Sequence, residues 1–592
     1  MNHQKYNVIK QAINWVHDKT SERQFLIISS ILVGISTGIA AVILKLFVSY
    51  IRKYLVEDYL LKLYFKIIFF LLPLIGIGIT VLIVKYILKN QLQKGNTSIL
   101  NAIAKKSSFL PFTQMYSHVI TSAFTVGFGG SAGLESPIVS TGSAIGSNFA
   151  RTYKLSYKDR TMLLAAGVAG GIAGAFNAPI AGVLFALEVI LVDISISAFI
   201  PLLIASASGA LIANILLQEE NLLFFKLKQP FDYYNVPFYI LLAIVSGFMA
   251  LYYVNAFEKI ENSISSIKST FTKWIVGGVV MAILLVFFPT LFGEGYESIK
   301  LLSEYRVNEV TDNSVLSYLT DNKWLMLLFI FATLLLKPFA VAITIGSGGN
   351  GGNFAPSLFF GAYLGFIFAN FLNLIGFTEI PISNFTIVAM AGILSGVFHA
   401  PLTAIFLIAE ITGGYELIIP LMIVSSLSYV IVKHFHPQSL DIKRLKLQGT
   451  IITDDKDTST LSKINVKDLI ETDFSSIHFK ASLRNIVETI KHCKRNTFPV
   501  VNKYNKLLGI IYLDDIREEM FNAELYDKII AKELMRKTDS VIDINEDIFS
   551  IMKKFKQSGQ WNLPVTDNNH YIGFLSKSTI LDRYRNQLLA SV

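Results

Sequence analysis

Two glycine-rich stretches hold the residues whose types and spacing could do chemistry. The first is Gly127-Phe-Gly-Gly-Ser-Ala-Gly-Leu-Glu-Ser-Pro137, and the second is Gly346-Ser-Gly-Gly-Asn-Gly-Gly-Asn-Phe-Ala-Pro356. Glycines let bare backbone approach a ligand. The proline that closes each stretch suits the first turn of a helix, where its missing N–H is not needed. A helix start leaves unpaired N–H groups and about half a positive charge. Two such starts brought together would hold an anion without a full cationic side chain, and weakly enough for it to leave. The candidate anion-binding residues are therefore Gly133, Leu134 and Glu135 at one start and Asn353, Phe354 and Ala355 at the other. Glu135 has two readings. It caps its own helix, or it acts as a gate, since ionisable groups at membrane depth are functional by default. An ionised Glu135 would occupy the anion's own site; protonation, or displacement by an anion, would release it. Phe354, at the matching place in the second stretch, is either an apolar constriction or a packing residue.

The elements that must position these stretches are membrane helices. Apolar runs at 25–51 and 64–88 are long enough to cross a bilayer, which takes about 20 helical residues. Lys45 and Lys85 lie toward their ends, where a long side chain can snorkel. Fuller spans are expected at 236–257, 273–293 and 323–345. Between them, 117–217 and 346–433 are broken by Gly, Pro and Ser. Irregular backbone at membrane depth is tolerated only inside protein or beside a watery cavity, so the breaks mark a transport pathway. The two regions are also copies. Gly127, Gly129, Gly130, Gly133 and Pro137 match Gly346, Gly348, Gly349, Gly352 and Pro356 at an offset of 219. Phe176-Asn-Ala-Pro179 with Glu188 matches Phe398-His-Ala-Pro401 with Glu410 at an offset of 222. Broken segments at matching places in two halves are a sequence pointer to a transporter's binding site.

The chain has 592 residues, 52% hydrophobic and 16% charged, with a mean hydropathy of +0.51. Soluble proteins carry roughly 25% charged residues, so a soluble enzyme and a disordered chain are both excluded. Of the 95 charged side chains, 45 lie in residues 441–592, which marks a soluble tail. The net charge of +9 includes no Lys/Arg run suited to nucleic acid. The single cysteine, Cys493, allows no internal disulfide and reads as a small core residue. The first 24 residues carry Lys5, Lys10, Lys19 and Arg23 without a cleavable apolar core, which argues against a signal peptide and for a cytoplasmic N-terminus. A membrane-embedded enzyme would need a nucleophile, base or metal cluster, and no HxxxD, HExxH or CxxC pattern is present.

The tail repeats as well. Strand pairs at 498–501 and 507–512, then at 563–566 and 571–576, follow amphipathic helices at 482–492 and 547–557. Pro499 and Pro564 are 65 residues apart, Gly509 and Gly573 are 64 apart, and the tail reads as two α/β modules in tandem.

Gly133-Leu-Glu-Ser-Pro137, Gly352-Asn-Phe-Ala-Pro356, Phe176-Asn-Ala-Pro179 and Ala400-Pro-Leu-Thr-Ala404 with Glu410-Ile-Thr-Gly-Gly-Tyr415 together resemble the CLC family of chloride channels and proton-coupled anion exchangers. The tail resembles a tandem CBS pair. The resemblance implies an all-α polytopic membrane domain with broken helices and an inverted internal repeat, followed by α/β CBS domains. The expected organisation is a cytoplasmic segment 1–24, a membrane domain 25–436, a linker 437–465, and CBS domains at 466–523 and 530–588. Also implied are a homodimer in the cell membrane with both termini cytoplasmic, one pore per subunit, Glu135 as gate and Phe354 beside the central anion. No cofactor is required, and the partners are chloride or other small anions and the lipid bilayer.

Three departures from the family pattern stand out. Its first motif, Gly-Ser-Gly-Ile-Pro, is replaced by Gln93-Lys-Gly-Asn-Thr-Ser-Ile99. One register places Lys94 at the central serine position and another places Asn96 there; an exposed linker lysine is the plain alternative. The family's central tyrosine should fall near Ser439-Leu-Asp441, where there is none. Exchangers usually carry a second glutamate one position after Glu188, where this chain has Val189, as family channels do. Without that carboxylate a proton has no evident relay, so the expected function is an anion channel gated by Glu135, with a proton-coupled exchanger as the alternative. Glu188 and Glu410 read as ion-paired at helix ends, and His399 as a packed polar residue. In the CBS pair the resemblance implies an adenine-nucleotide contact of Ser/Thr followed three residues later by Asp; Tyr512…Asp515 and Ser576…Thr579 each meet half of it, against the alternative of a structural brace.

Overall fold

A computed structural model describes residues 19–53, 66–191, 196–217, 229–311, 314–316, 322–447, 461, 464–538 and 540–591. They fall into two compact units divided between Thr450 and Ile451. Most of the expected segment 1–24, and much of the expected linker, lie outside the described residues.

The first unit is helical. In chain order it contains α1 (Glu22–Tyr50), α2 (Lys66–Leu82), α3 (Asn96–Lys105), α4 (Gln114–Gly127), α5 (Glu135–Thr152), α6 (Tyr157–Phe176), α7 (Pro179–Phe185), α8 (Ile196–Leu217) and α9 (Val236–Ser265). Next come α10 (Thr270–Phe287), α11 (Tyr296–Ser303), α12 (Val307–Thr311), α13 (Lys323–Gly346), α14 (Phe354–Leu374), α15 (Ile382–Phe398), α16 (Pro401–Ile411), α17 (Ile418–Phe435) and α18 (Leu440–Leu447). Among the described residues, eight helices are long and apolar enough to cross a membrane; the protein is a multi-pass membrane protein.

Polar residues set several helix starts. Ser21 and Gln24 form a capping box at α1, and Ser156, Ser269 and Asn322 cap α6, α10 and α13. Small residues bring the helices together. A Cβ on Gly142 of α5 would stand 2.2 Å from the carbonyl oxygen of Gly167 in α6, and one on Gly167 would stand 2.0 Å from that of Gly142. Such backbone-to-backbone crossings are how helices associate where lipid removes the hydrophobic drive.

The duplication is visible in the backbone. Both α4 and α13 end in a glycine turn, with φ of +87° at Gly129 and +111° at Gly348. Both α6 and α15 end on a left-handed residue, Asn177 or His399, before Pro179 or Pro401 opens the next helix. The span expected at 273–293 stops at Phe287. Pro289 breaks it, and Gly293 and Gly295, both at positive φ, turn the chain back toward the glycine-rich stretches. The polar residues after His436 are not all linker, since α18 lies within the first unit.

The second unit holds two three-stranded sheets, β1 (Ile477–His478), β2 (Thr497–Val501) and β3 (Leu507–Tyr512), then β4 (Ile542–Asp543), β5 (Asn562–Asp567) and β6 (His570–Ser576). In each sheet the expected pair is antiparallel, and a short parallel edge strand joins it. The expected amphipathic helices are α19 (Leu483–His492) and α21 (Ile548–Ser558), with α20 (Ala531–Leu534) between them and α22 (Lys577–Ser591) last.

Candidate functional site

The two glycine-rich stretches meet. Gly133 and Gly352 exchange backbone hydrogen bonds, each N–H donating to the other's carbonyl at 2.9 Å. The exchange extends outward from this pair. Ser131 N–H donates to the Thr344 hydroxyl (3.1 Å), and Asn350 N–H donates to the Thr125 hydroxyl (3.0 Å). These positions are related by the 219-residue offset, so a local two-fold relates the two stretches and brings the starts of α5 and α14 together.

Glu135 is the first residue of α5 and is buried. Its carboxylate is in hydrogen-bonding contact with its own backbone N–H at the start of α5, and it also reaches the other half. Oε2 accepts the backbone N–H of Ala355, the second residue of α14, at 3.3 Å, and Oε1 accepts the hydroxyl of Tyr296. The carboxylate therefore sits at the other half's helix start, where that helix's partial positive charge would receive an anion.

Glu135 also lies between two cavities. One, of about 50 Å³, is lined by Lys45, Leu134, Glu135, Glu294 and Tyr296 among others. The other, of about 210 Å³, is lined by Lys94, Asn96, Glu135, Asn353, Phe354, Glu261, Asp441 and Arg444 among others. Phe354 is 2% exposed and packs against the rings of Phe176, Phe185 and Phe398 at 5.4–5.8 Å. It is at once a packing residue and part of the cavity wall. Asn353, the residue before α14, accepts a hydrogen bond from Tyr253 (3.4 Å).

Several of these groups were not anticipated. Lys45 does not reach for an interface; it lines the smaller cavity. Tyr296 and Glu294 lie just past the span expected at 273–293, at a place where Gly293-Glu-Gly-Tyr296 carries a turn signal. Lys337, inside a span, is fully buried; its ammonium donates to the Ser131 hydroxyl (2.9 Å) and the Gly293 carbonyl (3.4 Å) and lies over the Phe359 ring. It ties the first glycine-rich stretch to the turn that carries Tyr296.

Lys94 is not an exposed linker lysine. Its ammonium donates to the carbonyls of Gly348 (3.0 Å) and Gly349 (2.7 Å), just past the C-terminus of α13, where a cation is favoured. Lys94 and Asn96 both line the larger cavity, so both registers of the first motif reach it. Ser439, Leu440 and Asp441, where a tyrosine was expected, line it too. Val189 is a half-buried residue packed on the core. No carboxylate stands at the position after Glu188, but Glu261 and Asp441 line the larger cavity with Glu135.

Residues 76–433 match the family model described as voltage gated chloride channel. The chain belongs to that family. The CBS domain model matches residues 466–522 and 531–586. The chain is 24% identical over 572 residues to chloride channel protein CLC-e of Arabidopsis thaliana, covering 85% of this chain and 77% of that one. Two solved structures share the fold. A slow cyanobacterial Cl⁻/H⁺ antiporter aligns with a TM-score of 0.62 at 20% identity, over 73% of this chain and 99% of its own. A CLC-type fluoride/proton antiporter aligns with a TM-score of 0.57 at 22% identity, over 70% and 98%. As a CLC protein the chain serves anion transport across a membrane, in a family of channels and transporters rather than enzymes.

In this CLC chain Glu188 and Glu410 have, among the described residues, backbone N–H partners in place of the expected ion pairs. Glu188 accepts the backbone N–H groups of Leu402 (3.0 Å) and Thr403 (2.8 Å) and the Thr403 hydroxyl, while Glu410 accepts those of Ile180 and Ala181 (both 2.9 Å). His399 closes α15 with its ring edge-on to Tyr429. In the CBS pair, Asp515 is engaged by Arg536, Ser576 shares a hydrogen bond with Ser578, and Thr579 donates to Glu471. A nucleotide at these residues would have to displace Arg536 and Glu471.

Gly133 gives the first test of the site. A Cβ there would stand 2.3 Å from Oε2 of Glu135 and 3.0 Å from the Ala355 nitrogen. Gly133→Ala is therefore expected to cover the Ala355 N–H and to weaken anion binding about tenfold, the loss of one hydrogen bond to a charged group. Chloride efflux from liposomes should fall, and its pH dependence should flatten, because the same Cβ denies the Glu135 carboxylate its place.

Proposed function

We propose that the chain is a chloride channel, conducting anions through one pore in each subunit of a homodimer, with Glu135 as the gate. One observation carries this reading. Glu135 lines both cavities, and its carboxylate rests on the N–H that opens α14. Ionised, it holds the place of an anion; neutral or displaced, it joins the two cavities into one path. The backbone of Gly133, Leu134, Asn353, Phe354 and Ala355 then faces the ion, with no free cationic side chain needed, so binding stays weak enough for release. The protein lies in the cell membrane with the tail and the basic N-terminal segment cytoplasmic, and the larger cavity faces inward.

Proton-coupled exchange is the second reading, and a specific observation favours it. Glu261 and Asp441 place acidic groups in the cavity that reaches Glu135, and the two similar solved structures are described as antiporters. Reconstitution in liposomes separates the readings. Chloride efflux that needs only a counter-ion path supports the channel. Efflux that stalls without a membrane-permeant proton carrier, and acidifies the lumen in proportion to the chloride that leaves, supports the exchanger.

A further inference from the structure

We infer that His118 and Lys337 are a two-fold-related pair of positioning residues, each reaching from one half to fix the other half's glycine-rich stretch at the spacing the anion needs. The inference rests on the anion site proposed above. The two residues are 219 apart, the offset that relates the stretches themselves. His118 lies on α4 and Lys337 on α13, the helices that lead into the two stretches, and both side chains are fully buried. Lys337 donates to the Ser131 hydroxyl at 2.9 Å. Asn350, the residue that matches Ser131, donates through its Nδ2–H groups to Nδ1 of His118 (3.3 Å) and to the Thr121 hydroxyl, also on α4 (2.8 Å).

The match extends to a third partner. The Lys337 ammonium also donates to the Gly293 carbonyl (3.4 Å), and the His118 ring is in hydrogen-bonding contact with the Gln93 backbone. Gly293 and Gln93 each stand two residues before a glycine at positive φ, Gly295 or Gly95, which opens a short helix, α11 or α3. Each buried base therefore joins its own helix, the opposite stretch and a turn beside one cavity. The Gly293 turn carries Glu294 and Tyr296 of the smaller cavity, and the Gln93 turn carries Lys94 and Asn96 of the larger. Residue identity hides this symmetry, because an imidazole stands where the other half has an ammonium.

Ser131 and Asn350 lie four residues before Glu135 and Phe354, the first residues of α5 and α14. Groups that serve a ligand must be held within about 0.5 Å of their working place. The stretches leave each other little slack. A Cβ on Gly130 would stand 3.0 Å from the Thr344 methyl, and one on Gly349 would stand 2.9 Å from the Thr125 methyl. A shift in one stretch is thus passed to the other. A buried ammonium at membrane depth is costly, and small apolar residues would hold the helices together as well. What the two bases add is direction, since a hydrogen bond fixes Ser131 and Asn350 where packing alone would let them slide.

Isothermal titration of the detergent-purified full chain with sodium chloride at neutral pH tests this. The parent is Glu135→Gln, in which no carboxylate competes for the same donors. Lys337→Met and His118→Leu are each expected to bind chloride about tenfold more weakly than the parent, one hydrogen bond to the ion being lost from alignment. His118→Lys should bind as the parent does, since an ammonium fills this place in the other half. Ser131→Ala keeps the Lys337 charge and removes its hold. A loss of about threefold there marks position rather than charge, and it decides the matter should Lys337→Met fail to fold. Two results overturn the inference. One is parent affinity in Ser131→Ala or Lys337→Met, and the other is a His118→Lys variant as weak as His118→Leu. A parent that binds no chloride instead overturns the anion site itself.

Discussion

Glu135→Gln is expected to abolish the pH response of chloride flux and to raise the flux at neutral pH to the acid level of the wild type. The carboxylate is held by the Ala355 N–H, the Tyr296 hydroxyl and its own backbone N–H, and by the partial charge at the start of α14. A buried or half-buried charge at a helix end is stabilised by up to about 2 kcal/mol, so its removal weakens the competitor by roughly 30-fold. Glutamine keeps the shape and one acceptor oxygen but carries no charge. It should be displaced by chloride at any pH, as the protonated acid is. The sign follows from competition: falling pH neutralises Glu135, frees the Ala355 N–H and raises anion occupancy. Glu135→Ala should behave alike, since the effect lies in the charge. The decisive measurement is liposome efflux across a pH series. A Gln variant that tracks the wild-type curve would show that another group senses the proton and that Glu135 is only a packed polar residue. On the exchange reading the same substitution also uncouples proton movement, which a luminal pH dye reads in the same vesicles.

The site was legible in the sequence wherever it is built from the repeat. The 219-residue offset pairs Gly133 with Gly352, and those two residues exchange hydrogen bonds. The 222-residue offset pairs Glu188 with Glu410, and each caps the start of the helix that leads to the other. Duplication encodes such contacts because a two-fold turns one local motif into a reciprocal pair. What the repeat does not spell in identical residues was not legible. Lys337 sits in an apolar run, and hydropathy says nothing of the Ser131 hydroxyl and Gly293 carbonyl that accept its protons. Tyr296 follows residues apolar enough to extend a span; only the turn at Gly293 and Gly295 brings it to Glu135. Asp441 stands in a polar stretch that composition assigns to a linker. Its contacts with Asn96 and Thr97 cross more than 340 residues of chain, and no local pattern encodes a separation of that kind.

The largest effect on stability is expected from Glu188 and Glu410. Both α7 and α16 begin with proline after an alanine, Ala178 or Ala400, which offers no side-chain acceptor to the free N–H groups of the first turn. At α1, α6, α10, α13 and α21 a Ser, Asn or Asp does this work from the position before the helix. Here the acceptor arrives from the other half. Glu410 covers Ile180 and Ala181, and Glu188 covers Leu402 and Thr403. Glu410→Ala leaves two backbone donors unpaired in a half-buried setting, and an unsatisfied donor is destabilising by about 1–3 kcal/mol, so a loss of about 2–4 kcal/mol is expected. Glu410→Gln keeps one oxygen and should fall between. Thermal unfolding in detergent should rank wild type above Gln and Gln above Ala. Glu188→Ala should cost a similar amount, reduced by the exposure of Leu402. The double variant should fall short of the sum of the singles, because α7 and α16 pack on each other and loosening one start already relaxes its mate. A Glu410→Ala chain with the wild-type midpoint would mean that water satisfies these donors and that the reciprocal caps orient the two helices without holding them.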